Sequence, residues 1–382
     1  MDVLVVGAGI AGLSAAQDLI VAGHRAIVAE SGPVVGGRLA TRQMGDALLD
    51  HGAQFFTVRS DEFKDQVGGW LADGTAFEWC RGFGACPDGH PRYAGRTGMA
   101  SVGQALARGL DVRTGVTITG IRAAHHGRWA VSSTVWVPAA PALTNNPVPT
   151  EPDPVEPVLT EPIGTSRSGP SNPVHSDRAL VDGAALDGAR FDAIVLAVPS
   201  RQALALLEAG DTATRHAPIM AVRSVAWSPT LALLVTLDGT SSVPEPGGVQ
   251  LTDGLWSFVA DNQRKGISAV PALTLHATPD VSATRWAEAD EALRHDLLGA
   301  ARPWLGDAGI VATEIVRWRY AQPTAVRPER CVVVAGTPGG HPGPIVIAGD
   351  AFGGPRVEGA FLSGKAAAAR LDNAESLLGN GA

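Results

Sequence analysis

The sequence predicts an α/β chain: a sheet-and-helix domain opened by a βαβ unit, joined to a second, mixed α+β domain. Three observations carry that expectation. The chain opens on a short apolar, β-branched run, Val3–Val6, that passes at once into a glycine-rich turn and a helix-patterned stretch. A second buried-strand run, Pro344–Ala348, lies near the end and is again followed by a helix-patterned stretch. Between them, residues 201–322 change to strand-like segments around one amphipathic helix. With 382 residues the chain has room for about two domains.

The opening unit is the most informative. Gly7, Gly9 and Gly12 follow the first strand in a G-x-G-x-x-G spacing, Ile10, Leu13, Ala16, Leu19 and Ile20 give a helical period, and Gly23 ends it. A second strand, Ala26–Ala29, ends on Glu30, eighteen residues after Gly12. A pyrophosphate needs main-chain N–H groups around it at a helix N-terminus. Gly7 therefore allows the tight turn, Gly9 removes a Cβ that would touch phosphate, and Gly12 lets helix and strand approach. An acid at position 30 accepts hydrogen bonds from ribose hydroxyls and disfavours a 2′-phosphate. The unit is thus read as Rossmann-type and dinucleotide-binding.

Composition excludes several classes. A net charge of −8 with 45% hydrophobic residues gives no reason to expect nucleic acid or an anionic membrane as a partner. Cys80, Cys86 and Cys331 show no C-x-x-C spacing, so neither a disulfide framework nor a metal site is expected, and the reading is a reduced, cytoplasmic protein. The apolar N-terminus lacks a basic leader and carries the motif glycines, which makes it structure and not a targeting segment.

Along the chain, Gly36-Gly37-Arg38 sits in a loop expected to return toward the pyrophosphate and add positive charge. Leu48–Phe56 reads as a short strand breaking at Gly52. Asp50 and His51 are adjacent on it, so they face opposite sides and are read as turn and cofactor-shell residues, not a dyad. Residues 59–95, rich in aromatics and glycine, look like an excursion into a second domain or lid. Gly98–Ala107 reads as a helix and Val112–Ile121 as a strand returning to the first sheet. From Pro138 to Pro173 there are 10 prolines in 36 residues, too little apolar surface to offset ordering, so 138–177 is expected to be a dispensable insertion at a loop tip. The expected division is 1–58, 96–200 and 323–382 for the first domain, with 59–95 and 201–322 for the second.

With these segments in view, GGRLATR, DHGAQFFTVR, GMASVGQALA, FDAIVLAVP, WRYAQP and GDAFGGPRVEGAFLSGKAAA resemble the flavin-containing amine oxidase superfamily, and within it the renalase branch, particularly its bacterial members. The resemblance covers nearly the whole chain except the Pro-rich stretch. It implies an amine-oxidase-like two-domain flavoprotein, with a Rossmann-type FAD-binding domain and a substrate domain. It also implies that the Asp350 carboxylate bonds the FAD ribityl chain and that the helix starting at Arg356 and Val357 aims its N-terminus at the flavin pyrimidine edge. The cofactor-binding set expected on this reading is Gly7, Ala8, Gly9, Ala11, Gly12, Glu30, Ser31, Gly37, Arg38, Gln54, Val116, Gly349, Asp350, Arg356, Val357, Glu358, Gly359 and Ala360. No cysteine lies in the C-terminal flavin motif, so the FAD is expected to be non-covalent.

The resemblance implies oxidation of the dihydropyridine isomers of NAD(P)H reduced at ring positions 2 or 6, with dioxygen as electron acceptor and hydrogen peroxide as product. Such a substrate becomes aromatic as it gives up hydride, so no general base and no catalytic triad is expected. Gln54, His276, Arg319 and Tyr320 are the substrate-pocket candidates. An amine oxidase or desaturase, and a non-catalytic FAD-binding scaffold, are the alternatives. Against the first stands the apparent lack of a lysine near the flavin: Lys64 and Lys365 sit in a charged stretch and the last helix, and Lys265 reads as part of a polar turn.

Overall fold

The apolar opening run becomes the strand Asp2–Val6, buried on both faces. The helix Ile10–Val21 and the strand Arg25–Glu30 complete the βαβ unit. In the computed structural model, which describes residues 1–84, 88–135, 186–336 and 342–379, six strands form the first sheet. Their order is Val332–Ala335, Ile345–Ile347, Ala193–Leu196, Asp2–Val6, Arg25–Glu30 and Asp111–Thr114. Every neighbouring pair is parallel except the first, an antiparallel edge. The stretch 138–177 and Cys86 lie outside the described residues.

Alternation along Asp2–Val6 sorts the core into two layers. Val3 and Val5 pack with Leu13, Met99, Val357 and Phe361 on the helical side. Leu4 and Val6 pack toward a three-stranded antiparallel sheet, Val116–Ala124, Arg128–Val135 and Arg190–Phe191. The single strand expected over Val112–Ile121 is two strands. Gly115, at φ +70°, breaks it, and the first half joins the large sheet while the second starts the small one.

The second domain is a five-stranded antiparallel sheet, in the order Gly248–Gln250, Trp256–Asp261, Ala272–Ala277, Trp227–Leu237 and Ile310–Pro323. One face, with Leu231, Leu233, Val235, Leu273, Leu275 and Ile315, is covered by the helix Asp290–Leu305 through Leu293, Leu297, Ala301 and Leu305. The other face, with Ala232, Leu234, Ala272, Val316 and Trp318, rests on Ala47 and Leu49 of the hairpin Thr41–Met44/Ala47–Asp50.

Two segments pack differently from the expected division. Residues 200–225 form the helices Ser200–Ala209 and His216–Arg223, whose Ala203, Leu204, Leu207, Ile219 and Val222 join the first domain's core, because their apolar residues recur at helical and not strand spacing. The stretch 59–95 is shared. Its helix Asp61–Ala72 buries Phe63, Val67 and Trp70 in the first core, against Phe361, while the hairpin Ala76–Cys80/Arg92–Gly95 reaches the second domain, where Trp79 donates its indole N–H to the Pro246 carbonyl at 2.8 Å. Among the described residues no helix is long and apolar enough to cross a membrane.

Candidate functional site: a main-chain cradle and a neutral wall

The glycine turn has the geometry its spacing calls for. Gly7 adopts φ +98°, and a Cβ there would stand 2.7 Å from the Ala197 oxygen. A Cβ on Gly12 would stand 2.0 Å from the Gly7 oxygen, so the helix can begin this close to the strand only with glycine. At Gly9, in contrast, a Cβ would meet no atom within 4 Å. Gly9 is also the N-cap of Ile10–Val21 and offers no side-chain cap, so the helix's first N–H groups face that open space. Gly36 pairs with Gly9 and donates its N–H to the Ala8 oxygen at 2.8 Å, and Gly37, at φ +55°, lies over the Gly9 Cα.

Glu30 is buried at the end of its strand and accepts N–H bonds from Ala8 at 2.8 Å and Gly32 at 2.7 Å. The Ser31 hydroxyl adds a 3.4 Å contact. Burial pushes this carboxyl up from its ordinary pKa, against those bonds. Glu30 thus fastens the glycine turn as well as standing at the position expected for a ribose contact. Ala11 and Val116 are buried: the Ala11 oxygen lies where Gly364 of the last helix crosses, and Val116 follows Gly115, whose N–H bonds Gly32 at 2.9 Å.

Arg38 makes a two-pronged ion pair with Asp350, at 2.7 and 2.6 Å, donates to the Ala321 oxygen at 2.9 Å, and lies 5.3 Å over the Trp227 ring. The charge expected to face a pyrophosphate is therefore directed at the late-strand carboxylate. The last helix, Arg356–Gly379, starts with Arg356 at φ +79°. Gly359 in its first turn admits no Cβ, which would stand 1.8 Å from the Gly354 oxygen. Val357 and Ala360 are buried beneath, and Gly349 donates its N–H to the Ser363 hydroxyl at 2.8 Å. The Glu358 carboxylate turns away to accept the Ser60 N–H and hydroxyl, both at 2.7 Å, at the start of the helix Asp61–Ala72. That side chain braces a neighbouring helix; its main chain alone belongs to the cradle.

The loop after the strand Ala47–Asp50 lies against the face of the five-stranded sheet that carries Trp318 and His276. The His51 carbonyl accepts the Trp318 indole N–H at 2.8 Å and bonds His276 Nε2 at 3.2 Å, and its ring stacks on Trp318 with centroids 5.3 Å apart. Gln54 is buried; its amide nitrogen donates to the Asp50 carbonyl at 2.6 Å and the Gly52 carbonyl at 3.2 Å. Its side-chain oxygen and His51 Nδ1 are buried without a partner among the described residues. Tyr320 shares the Trp318 face and packs 5.9 Å from Trp227, beside Arg38. Arg319 does not join this cluster: strand alternation sends it to the helix-covered side, exposed and 5.5 Å over Trp286.

Lys265 corrects the expectation most clearly. It is not a solvated turn residue but one of the largest fully buried side chains, with Nζ 2.6 Å from Asp50 Oδ2, 2.5 Å from the Gln54 carbonyl and 5.0 Å from the Trp79 ring centroid. Asp50 also accepts the Thr41 hydroxyl at 2.6 Å and the Met99 N–H at 2.7 Å, and its own N–H bonds the Asn262 side chain at 3.3 Å. The one sequence signal was the partner: an aspartate in a fully apolar strand ending needs a cation.

Charge around this loop follows from burial and from these pairings. Burial lowers the His51 pKa to about 3 and the His276 pKa to about 4, so both rings are neutral near pH 7. Burial also lowers the Lys265 pKa, against the pull of Asp50. Asp50 and Asp350 each have their cation, and Glu314 near the hairpin is paired with Arg42.

The described geometry meets matching relatives. A model of the NAD(P)-binding Rossmann-like domain matches residues 5–72, the stretch that carries the glycine turn. Three solved structures align over almost the whole chain. A protein from Exiguobacterium sp. 255-15 assigned as a protoporphyrinogen oxidase is 12% identical, with a TM-score of 0.65, over 97% of this chain and 98% of its own. Cyclohexylamine oxidase from Brevibacterium oxydans IH-35A is 14% identical at a TM-score of 0.59, covering 98% and 99%. A wild-type putrescine oxidase bound to putrescine is 13% identical at 0.60, covering 96% and 98%. The fold is the two-domain architecture of these oxidases, with a Rossmann-type domain.

Proposed function

We propose that the chain is an FAD-dependent oxidase that takes hydride from 2- or 6-dihydro isomers of NAD(P) and delivers the electrons to dioxygen, so that dihydropyridine, dioxygen and a proton give the pyridinium nucleotide and hydrogen peroxide. The observation that carries this reading is the charge state of the pocket wall. His51 and His276 are neutral, and Asp50 and Asp350 are already paired with Lys265 and Arg38. Such a wall holds neither an ammonium substrate nor a ready base, and hydride loss from a dihydropyridine needs neither.

The cradle fits FAD: the space beside Gly9, the helix N-terminus behind it and the buried Glu30 carboxylate suit a pyrophosphate and its ribose, and Asp350 and the start of the last helix suit the rest. FAD held there without a covalent bond supplies the hydride acceptor. The protein's part is to orient. Trp318 and His276 fix the loop that carries His51 and Gln54, and the hydrophobic face beneath, Ala232, Leu234 and Val316, excludes water from the wall. The main-chain N–H groups at the start of the last helix favour negative charge beside them.

A superfamily amine oxidase is the second reading, and Lys265 is the observation in its favour. Its ammonium, however, is spent on Asp50 and the Gln54 carbonyl and faces Trp79. Anaerobic mixing with 2- and 6-dihydro isomers, ordinary NADH and mono- and polyamines, followed at the flavin band, separates the two. The expected outcome is that an off-register isomer bleaches the flavin at least about tenfold faster than the others, about 1.4 kcal/mol in barrier, and that admitted air restores the colour with peroxide. Faster reduction by any amine overturns the reading.

A further inference from the structure

We propose that the Gln54 side-chain oxygen reads the carboxamide N–H₂ of a nicotinamide ring, making Gln54 the specificity-determining residue of the pocket. The inference rests on the dihydropyridine reading above. Gln54 has its amide orientation fixed by chemistry: its nitrogen meets the carbonyl oxygens of Asp50 and Gly52, and exchanging the two ends would set oxygen against oxygen twice. The side-chain oxygen that remains is buried with no partner among the described residues. Native proteins rarely leave a buried acceptor unpaired, because the omission costs about 1–3 kcal/mol, so a held and orphaned oxygen points to a ligand that donates to it.

Its surroundings say which ligand. The main chain of residue 54 is pinned by Lys265, itself held by Asp50, so the oxygen cannot drift to find another donor. The next residue, Phe55, packs 5.9 Å from Phe258, which pairs in register with His276, and His276 holds the His51 carbonyl. Gln54 is therefore fastened to the substrate domain. A nicotinamide ring bears one neutral N–H donor group, the carboxamide, and a neutral acceptor in a neutral wall matches it.

The test is equilibrium binding to the FAD-loaded protein, read as flavin absorbance perturbation and by calorimetry. Three probes are compared: NAD⁺, its 3-acetylpyridine analogue, in which a methyl replaces the NH₂, and its thionicotinamide analogue, which keeps the NH₂ and loses the oxygen. The expected result is that NAD⁺ and the thioamide bind within a few-fold of each other and the acetyl analogue binds about fivefold to a hundredfold more weakly. Gln54→Leu, or Gln54→Met where the first loses flavin, should erase the preference. Equal affinity of the acetyl analogue, a thioamide as weak as the acetyl analogue, or a preference that survives in the variants would each overturn the assignment. So would a loss of FAD affinity in the variants with the preference intact. Flavin reduction by a dihydro isomer without any such preference defeats this inference alone. No nucleotide binding together with no reduction by any isomer defeats the reading it rests on.

Discussion

The cradle around Gly9 and the wall around Gln54 are joined through the Gly36–Arg38 loop, where Gly36 donates its N–H to the Ala8 oxygen and Ala53 its N–H to the Arg38 oxygen, yet they are made of different material. The cradle is main chain drawn largely from neighbouring residues: three glycines and a helix start within six residues, fastened by a carboxylate eighteen residues on. The wall is side chains brought together over long separations, 215 residues between Lys265 and Asp50 and 267 between Trp318 and His51. A site of main-chain N–H groups and missing Cβ atoms depends on spacing. A site of buried polar side chains depends on burial, which only the tertiary structure confers. The two should therefore fail in different ways.

Lys265→Met should do the greatest damage, because it leaves the Asp50 charge buried and unpaired. We expect a loss of about 3–5 kcal/mol in chemical denaturation. The double variant Lys265→Met/Asp50→Asn should recover much of it, and equal loss in the two would show that the pair is not what holds the domains together. In the cradle, Gly12→Ala drives a Cβ to 2.0 Å from the Gly7 oxygen, so about 1–3 kcal/mol of stability should go, and cofactor with it. Gly9→Ala is the contrasting case. Its Cβ enters open space, so the melting temperature should stay near wild type while FAD binding weakens. Equal destabilisation by the two alanines would erase the distinction between packing glycine and ligand glycine.

Asp350→Ala, which strands the Arg38 guanidinium, should weaken FAD binding roughly tenfold to a hundredfold, the size of one charge-assisted hydrogen bond of about 1.5–3 kcal/mol. Unchanged flavin retention on a desalting column would remove Asp350 from the site. The pH effect is the gentlest. His51 and His276 hold folded pKa values of about 3 and about 4, below the ordinary 6.5, so below pH 6.5 the unfolded chain binds protons that the folded chain refuses. Stability is full above about pH 6.5 and falls as pH drops toward 4, at up to about 1.4 kcal/mol per unit for each ring. His276→Asn should flatten part of that slope.

These contrasts also explain what the sequence made legible. The βαβ unit, the late strand and its helix, and four strands and the long helix of the second domain stand where periodicity and glycine spacing put them, since each is a local pattern, whereas the short edge strand Gly248–Gln250 and the helix Pro279–Thr284 carry too few residues to show a period. The helices of 200–225 were missed because they sit in a stretch whose dominant signal is strand-like. Arg319 was grouped with Tyr320 by proximity in sequence, whereas the strand turns neighbours to opposite faces. Lys265 looked like a solvated turn because Asn262, Gln263 and Arg264 surround it in sequence, and nothing local announces that Asp50 waits for it across the domain boundary.

The claim that joins cradle and wall is that the pocket presents a neutral surface to a hydride donor that needs no base. Its most direct test is the pH dependence of flavin reduction in a single turnover with a 2- or 6-dihydro isomer of NAD, measured by stopped flow between about pH 6 and pH 9. A neutral wall with histidines titrating near 3 and 4 predicts a reduction rate that is level across that range. A rate that rises or falls through an ionisation inside it would reveal a working acid or base in the pocket and contradict the account.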